Sequence, residues 1–392
     1  MLVKPPDLNT RKEKIIEKIR SIWRRKFIKY TTGTIVIAGI AYYLTSDKSN
    51  FERDDLETDQ KTTIPIQSDE KEILILASLA PSGHNTQPWF IRYHEPFHWT
   101  ICNDQTRWLD GVDPTQRETI LSIGAFLQNL EYAANDFEYS CAFDLLALSN
   151  KDEEIINVKL SKSLNIQKFE IEKMQHRRTL RSNYLNEIIR KEDLDYLLEN
   201  ETDFIRYFPN TSKEHLYLNE QTIEANKIQS YRNVAQTELA NWMRFSNEDV
   251  EKYRDGLSPA SMEIEGISGW VVRNFYDKQS IMKKDFRDKS IAKVVEQVSK
   301  SAGWLVITSP ENSVASLLDA GRRLQRIWLK VRERNIAIHP MTQILEEDKT
   351  KTLVNSAISI KENIQFFLRV GYVENYPDPV TLRRPINWFI RN

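Results

Sequence analysis

An α+β fold is what this sequence predicts, built as two pseudo-repeated lobes fused in one chain, each an antiparallel-type sheet with long helices. Three observations lead there. Runs with helical spacing of apolar residues are interleaved with short strand-like runs bounded by turn residues. Helix, strand and long-helix pieces follow one another in 67–168, and a weaker echo of that order runs through 169–392. Comparable long helices carry Gly124 and Gly321 near their starts. The chain has 392 residues, 40% of them hydrophobic, enough for a sizeable core in one large or two smaller domains.

The elements follow in order. Lys71 to Leu79 reads as a helix that stops before Pro81, and Pro81 to Pro88 as a loop rich in Pro, Gly and Asn. Trp89 to Tyr93 and Phe97 to Cys102 read as a hairpin around His94-Glu95-Pro96. Arg117 to Ala134 is a long helix with Ile120, Ile123, Leu127 and Leu130 on one stripe. Cys141 to Leu148 is a strand, and Lys151 to Lys168 a strand followed by a connection. In the second lobe, Ile171 to Ser182 holds an arginine cluster, Lys191 to Leu198 is helical and Phe204 to Phe208 is a strand. A single long helix is expected from His215 to Phe245, then a lid-like insertion over 246–277 with Gly256, Pro259 and Gly266. Asp285 to Ser299 is helical, Trp304 to Ser309 a strand, Ser313 to Asn335 a long helix, and Ile336 to Thr342 and Ile364 to Tyr372 strand-like.

Charge and composition exclude several classes. There are 55 basic and 56 acidic residues, for a net charge of -1, and no domain-wide basic stripe, so nucleic acid is not an expected partner. The six histidines show no metal-ligand spacing. Cys102 and Cys141 form no C-x-x-C pair; two small apolar core side chains is the simpler reading, with one disulfide after export as the other.

Residues 1–45 combine a basic segment with the apolar stretch Thr31 to Leu44, the layout of an export signal. Arg24-Arg25-Lys26-Phe27-Ile28-Lys29 resembles the twin-arginine signature, which implies the twin-arginine export machinery as a partner and a destination in the periplasm or on the outer face of the inner membrane. No small-residue cleavage site follows Leu44, so an uncleaved membrane anchor is the competing reading and a buried N-terminal helix the third. Residues 46–66 read as a polar linker.

One motif is specific. Ala80-Pro81-Ser82-Gly83-His84-Asn85-Thr86-Gln87-Pro88-Trp89 resembles the A-P-S-x-x-N-x-Q-P-W segment of the nitroreductase family at all seven specified positions, with Ile91 where the family's later Phe stands. Arg177-Arg178-Thr179-Leu180-Arg181 is similar to the family's Arg-rich start, Arg369-Val370-Gly371-Tyr372 and Thr381-Leu382-Arg383-Arg384-Pro385 to its strand-end glycine and basic tail, and Ala337 to Gln343 to its loop beneath the flavin ring. In the common branch each subunit carries both the N-x-Q-P-W segment and the Arg-rich start, and two subunits share each flavin. Here the first lobe has one mark and the second lobe the other, which resembles the fused, Acg-type branch and implies one complete site per chain and a monomer with pseudo-dimeric lobes.

The resemblance implies FMN as cofactor. Arginine suits its phosphate because the guanidinium fork donates paired, charge-assisted hydrogen bonds. Arg177, Arg181 and Arg383 are the expected ligands, with Arg178 and Arg384 as alternates and Thr179 offering its hydroxyl. Ser82, Asn85 and Gln87 are expected at the ring or ribityl chain, where amides match its alternating donors and acceptors. Backbone N–H groups near Met341, Thr342 and Gln343 are expected to approach the flavin ring. Trp89 reads as core, and His84 as a loop residue without a role. The activity implied is ping-pong electron transfer from NADH, NADPH or another donor to a nitro compound, quinone or similar small aromatic acceptor, with no side-chain nucleophile. A protein that holds flavin without turnover is the alternative.

Overall fold

The computed structural model describes residues 64–392 except 165 and 200, so the export-signal and anchor readings, and most of the linker, lie outside the described residues. The first lobe runs α1 (Ser68–Ser78), β1 (Trp89–Glu95), β2 (His98–Asn103), α2 (Arg117–Asp136), β3 (Tyr139–Leu145) and β4 (Glu154–Lys162). The second begins with α3 (Glu172–Gln175), α4 (Lys191–Leu198), β5 (Ile205–Pro209), α5 (Lys213–Tyr231) and α6 (Asn233–Trp242). It continues through α7 (Asn247–Tyr253), α8 (Gly266–Phe275), α9 (Lys278–Ile281) and α10 (Lys284–Val298). β6 (Gly303–Ser309), α11 (Val314–Trp328), β7 (Ile336–Pro340), α12 (Gln343–Glu346), α13 (Asp348–Ala357), β8 (Asn363–Tyr372) and β9 (Ile390–Arg391) complete it.

The fold is α+β, with two sheets among the described residues. The first has strand order β3-β4-β2-β1-β9 and the second β5-β6-β8-β7. All pairings are antiparallel except the last strand, where Ile390 and Arg391 pair in parallel with Ile91 and Arg92 of β1. The chain's end therefore leaves the second lobe and closes the sheet of the first. One apolar core is continuous across both lobes, from Ile73, Trp89 and Ile120 to Leu317, Ile327 and Leu368.

The lobes meet where α2 crosses α11. A Cβ placed on Gly124 would lie 2.2 Å from the Leu318 carbonyl oxygen, and one on Gly321 2.0 Å from that of Leu121. Each glycine thus lets the backbone of the other helix approach to a distance no side chain permits. Polar ties flank the crossing: the Gln325 amide donates to Asn129 at 2.7 Å, and Arg326 donates to Gln128 at 2.9 Å.

Two expectations need correction. The helix expected over His215 to Phe245 is two, broken at Arg232 (φ -82°, ψ 105°) and finished at Trp242. The cause is tertiary: the Arg232 guanidinium donates to the Glu347 carboxylate at 2.6 Å and to the Gly111 carbonyl, contacts that local propensity does not report. The helix expected over Ser313 to Asn335 ends at Trp328, and a short 3-10 turn ends on Asn335 at φ 50°. The insertion expected over 246–277 contains α7 and α8, with Gly256 between them at φ +73°, where a Cβ would meet the Trp242 carbonyl at 2.3 Å.

Gly124→Ala forces a methyl against backbone that cannot rotate away. We expect it to lower stability by at least about 2 kcal/mol, the scale of core overpacking, read as the urea midpoint. An unchanged midpoint contradicts the close crossing.

Candidate active site

The loop between α1 and β1 is held in an unusual shape. His84, Asn85 and Gln87 all have left-handed backbone, at φ 49°, 54° and 52°. Asn and His tolerate that region better than most residues; Gln does so less readily. The loop persists because it is clamped. The Gln87 N–H donates to Ser82 Oγ at 2.9 Å, and the Gln87 side chain donates to the Arg254 carbonyl and accepts from the Arg384 N–H, each at 2.9 Å. Asn85 donates to the Gly256 carbonyl at 3.3 Å, and its own carbonyl accepts from the Gly256 N–H at 3.2 Å. The loop is thus tied to the insertion and to the C-terminal tail.

This loop and the arginine segment of the second lobe face one cavity of about 840 Å³, within the range of small-molecule and cofactor sites. Ser82 and Asn85 line it from the first lobe; Arg177, Arg178, Thr179 and Arg181 line it from the second. Met341, Thr342 and Gln343 add a third wall between β7 and α12, and Arg383 a fourth from the tail. The insertion contributes Leu257 and Ser261 to Ile264, and α8 adds Ile267, Val271 and Val272.

Two expected residues are elsewhere. Gln87 is fully buried outside the cavity wall, with both ends of its amide committed to the clamp just described. Arg384 likewise does not line the cavity; its guanidinium donates to the Gln87 and Trp89 carbonyls, each at 2.6 Å. Arg383 lines the cavity but spends its fork on the end of α1, donating to the carbonyls of Ser78 (2.9 Å), Leu79 and Ala80 (3.2 Å each). A helix C-terminus leaves carbonyls without donors, and a cation there satisfies both need and dipole. The Met341 N–H is also committed, donating to the Phe367 carbonyl at 2.8 Å. Trp89 is core, packed on Phe126 with ring centroids 5.0 Å apart.

The three arginines after α3 differ from this pair. Arg177 donates to the Leu79 carbonyl at 3.1 Å, Arg178 to the Asp378 carbonyl and Arg181 to the Ser261 carbonyl, each at 2.6 Å. These partners carry no formal charge. Arg177 also lies over the Trp328 ring at 4.8 Å, and its Nε is buried without a hydrogen-bond partner. Burial pushes the Arg177 guanidinium down to about 10. Burial also lowers Arg181, opposed by the Glu263 carboxylate, which accepts from the Arg181 N–H at 3.0 Å. The wall is therefore a cationic surface short of counter-charge. Arg369, one of the family marks, supports it from behind: fully buried, it donates to the Arg181 carbonyl at 2.7 Å.

Several lining residues escaped the sequence reading. His84 lines the cavity, and burial pushes its ring down to about 4, with Glu118 acting against that and Arg181 with it. His339 is buried beside Arg369, its Nδ1 3.4 Å from that guanidinium, and is lowered by burial and by that charge. Glu118, Glu346 and Asn226 also line it, from α2, α12 and α5. His84 and His339 sat inside quoted motifs, so each was within reach of the sequence; the acids and Asn226 come from helices brought together only by folding. The two cysteines are unpaired.

No protein-family model matches the chain. It is similar to a Serratia protein described as the probable NAD(P)H nitroreductase PigM, with 22% identity over 316 residues, covering 76% of this chain and 86% of that one. A nitroreductase-like family protein from Bacillus cereus aligns over 58% of this chain and 96% of its own, at 11% identity and a TM-score of 0.29. The FMN-dependent nitroreductase NfnB of Mycobacterium smegmatis, solved with NADPH, aligns over 53% and 92%, at 12% identity and a TM-score of 0.31.

The shifted groups make a pH prediction. His84 holds its proton only below about 4 when folded, against an ordinary 6.5, so folding loses stability as pH falls through that window. Asp113 acts oppositely: burial and the Glu118 charge push it from 3.8 up to about 7, against the donors that cap α2, so its contribution falls as pH rises through that window. His84→Asn keeps a residue suited to the left-handed backbone and removes the first effect. We expect the variant to gain on the order of 2 kcal/mol relative to wild type at pH 5 compared with pH 8, measured by urea unfolding. The same difference at both pH values refutes a neutral imidazole at His84.

Proposed function

We propose that this chain is an FMN-binding oxidoreductase of nitroreductase type. In this reading it moves electrons from NADH, NADPH or another donor to a nitro compound, a quinone or a similar small aromatic acceptor, in ping-pong order. One observation carries the reading: Ser82 and Asn85 of one lobe and Arg177, Arg178, Thr179 and Arg181 of the other line the same cavity. The similarity to a protein described as an NAD(P)H nitroreductase supports it. The residues also fit the cofactor. An unpartnered buried Arg177 Nε, beside guanidiniums that reach only carbonyls, suits a phosphate dianion. Gln343 Oε1, buried in the third wall without a partner, suits an N–H donor such as a flavin ring presents.

When bound, FMN supplies two-electron chemistry, taking an electron pair from a nicotinamide and returning it to the acceptor. The chain's own part is to bind and orient. Arg177, Arg178, Thr179 and Arg181 would hold the phosphate, Ser82 and Asn85 the polar edge, and Met341 to Gln343 the ring. Because one chain furnishes both halves of the cavity, we propose that it acts as a monomer. We further propose, from Arg24-Arg25 and the apolar run after them, export by the twin-arginine route, which accepts folded cargo already carrying its cofactor, to the periplasm or the outer face of the inner membrane.

A second reading, a protein that holds flavin with little turnover, is favoured by the insertion, which both lines the cavity and clamps the Asn85 loop. Titrating the flavin-free chain with FMN should give one per chain, and Arg177→Ala should weaken binding about 10- to 100-fold, the value of one hydrogen bond to a charged group. An absence of binding by wild type overturns the flavin reading. NADPH oxidation by the loaded chain, with and without a quinone, then separates the enzyme from the holder.

A further inference from the structure

The cavity wall contains an arrangement that binding a flavin does not require. Thr342 Oγ1 lies 3.1 Å from Glu118 Oε1 and 3.1 Å from Glu346 Oε1. A threonine hydroxyl has one hydrogen, so it can donate to only one carboxylate. The other must bring a hydrogen of its own. Arg117 decides between them: its Nη2 donates to Glu118 Oε1 at 3.1 Å, a charge-assisted hydrogen bond that Glu346 does not receive. The proton therefore rests on Glu346, which donates to Thr342 Oγ1, while Thr342 donates to Glu118. Burial and the Glu118 charge push the Glu346 carboxyl well up, against the Gln229 amide that donates to its other oxygen and the charge of Arg117. A second feature points to an occupant. Asn226, one turn before Gln229 on α5, is 8% exposed, lines the same cavity and has an Oδ1 with no donor.

We propose that Glu346, Thr342 and Glu118 form a proton relay that supplies one of the two protons consumed when the acceptor is reduced. The inference rests on the oxidoreductase reading above. Reducing a quinone to a hydroquinone, or a nitro group to a nitroso group and water, takes two electrons and two protons. One proton travels with the electron pair from the reduced cofactor. For the other, Thr342 passes its hydroxyl proton to Glu118 and takes the proton of Glu346. Glu118, now a neutral acid on the cavity wall, gives its proton to the acceptor oxygen. Glu346 is left as a carboxylate and regains a proton from solvent. Glu118 is the donor; Thr342 and Glu346 are positioning and reservoir groups.

Two measurements test this. In infrared spectra of the chain without cofactor at pH 7, wild type should show, besides the partly protonated carboxyl of Asp113, a protonated carboxyl band that is lost in Glu346→Gln and displaced in Thr342→Val. With FMN bound, Glu346→Gln should keep one flavin per chain and its rate of reduction by NADPH. Its reoxidation by 1,4-benzoquinone should slow roughly 100-fold, as for loss of a general acid. Thr342→Val should slow the same step and Thr342→Ser restore it. No carboxyl band lost between wild type and Glu346→Gln, or an unchanged reoxidation rate in both Glu346→Gln and Thr342→Val, overturns the relay. If wild type binds no FMN, the flavin reading fails instead, while the infrared band still decides where the proton rests.

Discussion

The contact on which the molecule depends is the crossing of α2 and α11 at Gly124 and Gly321. Backbone meets backbone there, with each glycine seated against a carbonyl of the opposite helix. An interface of this kind has no side chain to yield, so it fixes separation and register together. Everything that lines the cavity is referenced to it. α1 packs on α2 and delivers the Pro81 to Pro88 loop; α11 supplies Leu324 and Trp328, and Trp328 carries Arg177 on its face. Loosening the crossing would separate the two halves of the site, with β9, at the end of the chain, as the strand that still joins them.

The tail explains why arginines that look alike in sequence take different work. Arg383 and Arg384 belong to a segment that must return to the first lobe, because Ile390 and Arg391 pair with β1. On the way it passes the open end of α1 and the strained Asn85 loop, both rich in carbonyls without donors. Arg383 answers the first and Arg384 the second. Arg177, Arg178 and Arg181 follow a four-residue helix and line the cavity; Arg177 shares the Leu79 carbonyl with Arg383, but each of the three guanidiniums spends one hydrogen bond on an uncharged carbonyl, so their charge remains available to a ligand. The same residue type is a tie in one place and a binding group in the other, according to what folding sets in front of it.

Much of this was legible in the sequence. The hairpin of β1 and β2, the helices over Arg117–Asp136 and Lys191–Leu198, and the pairing of the Asn85 loop with the arginines around 178 all rest on local pattern or on a motif. What was hidden depends on distant partners. The break at Arg232 is made by Glu347 and Gly111, more than a hundred residues away in either direction. Gln87 reads as a ligand because amides suit flavins, yet its partners are Arg254 and Arg384, which the sequence places nowhere near it. Glu118, Asn226 and Glu346 carry no motif; three helices set them around one space.

The clamp on the Asn85 loop has an energetic consequence. Three left-handed non-glycine residues within four positions cost on the order of 1 kcal/mol or more each, and a free loop would relax. It is held from outside, by the insertion through Arg254 and Gly256 and by the tail through Arg384. Those segments therefore set the position of Asn85 and His84 in the cavity, although Arg254, Gly256 and Arg384 themselves stand outside its wall. Shape at the site is a property of the whole assembly, and the insertion is part of the wall's support before it is a cover.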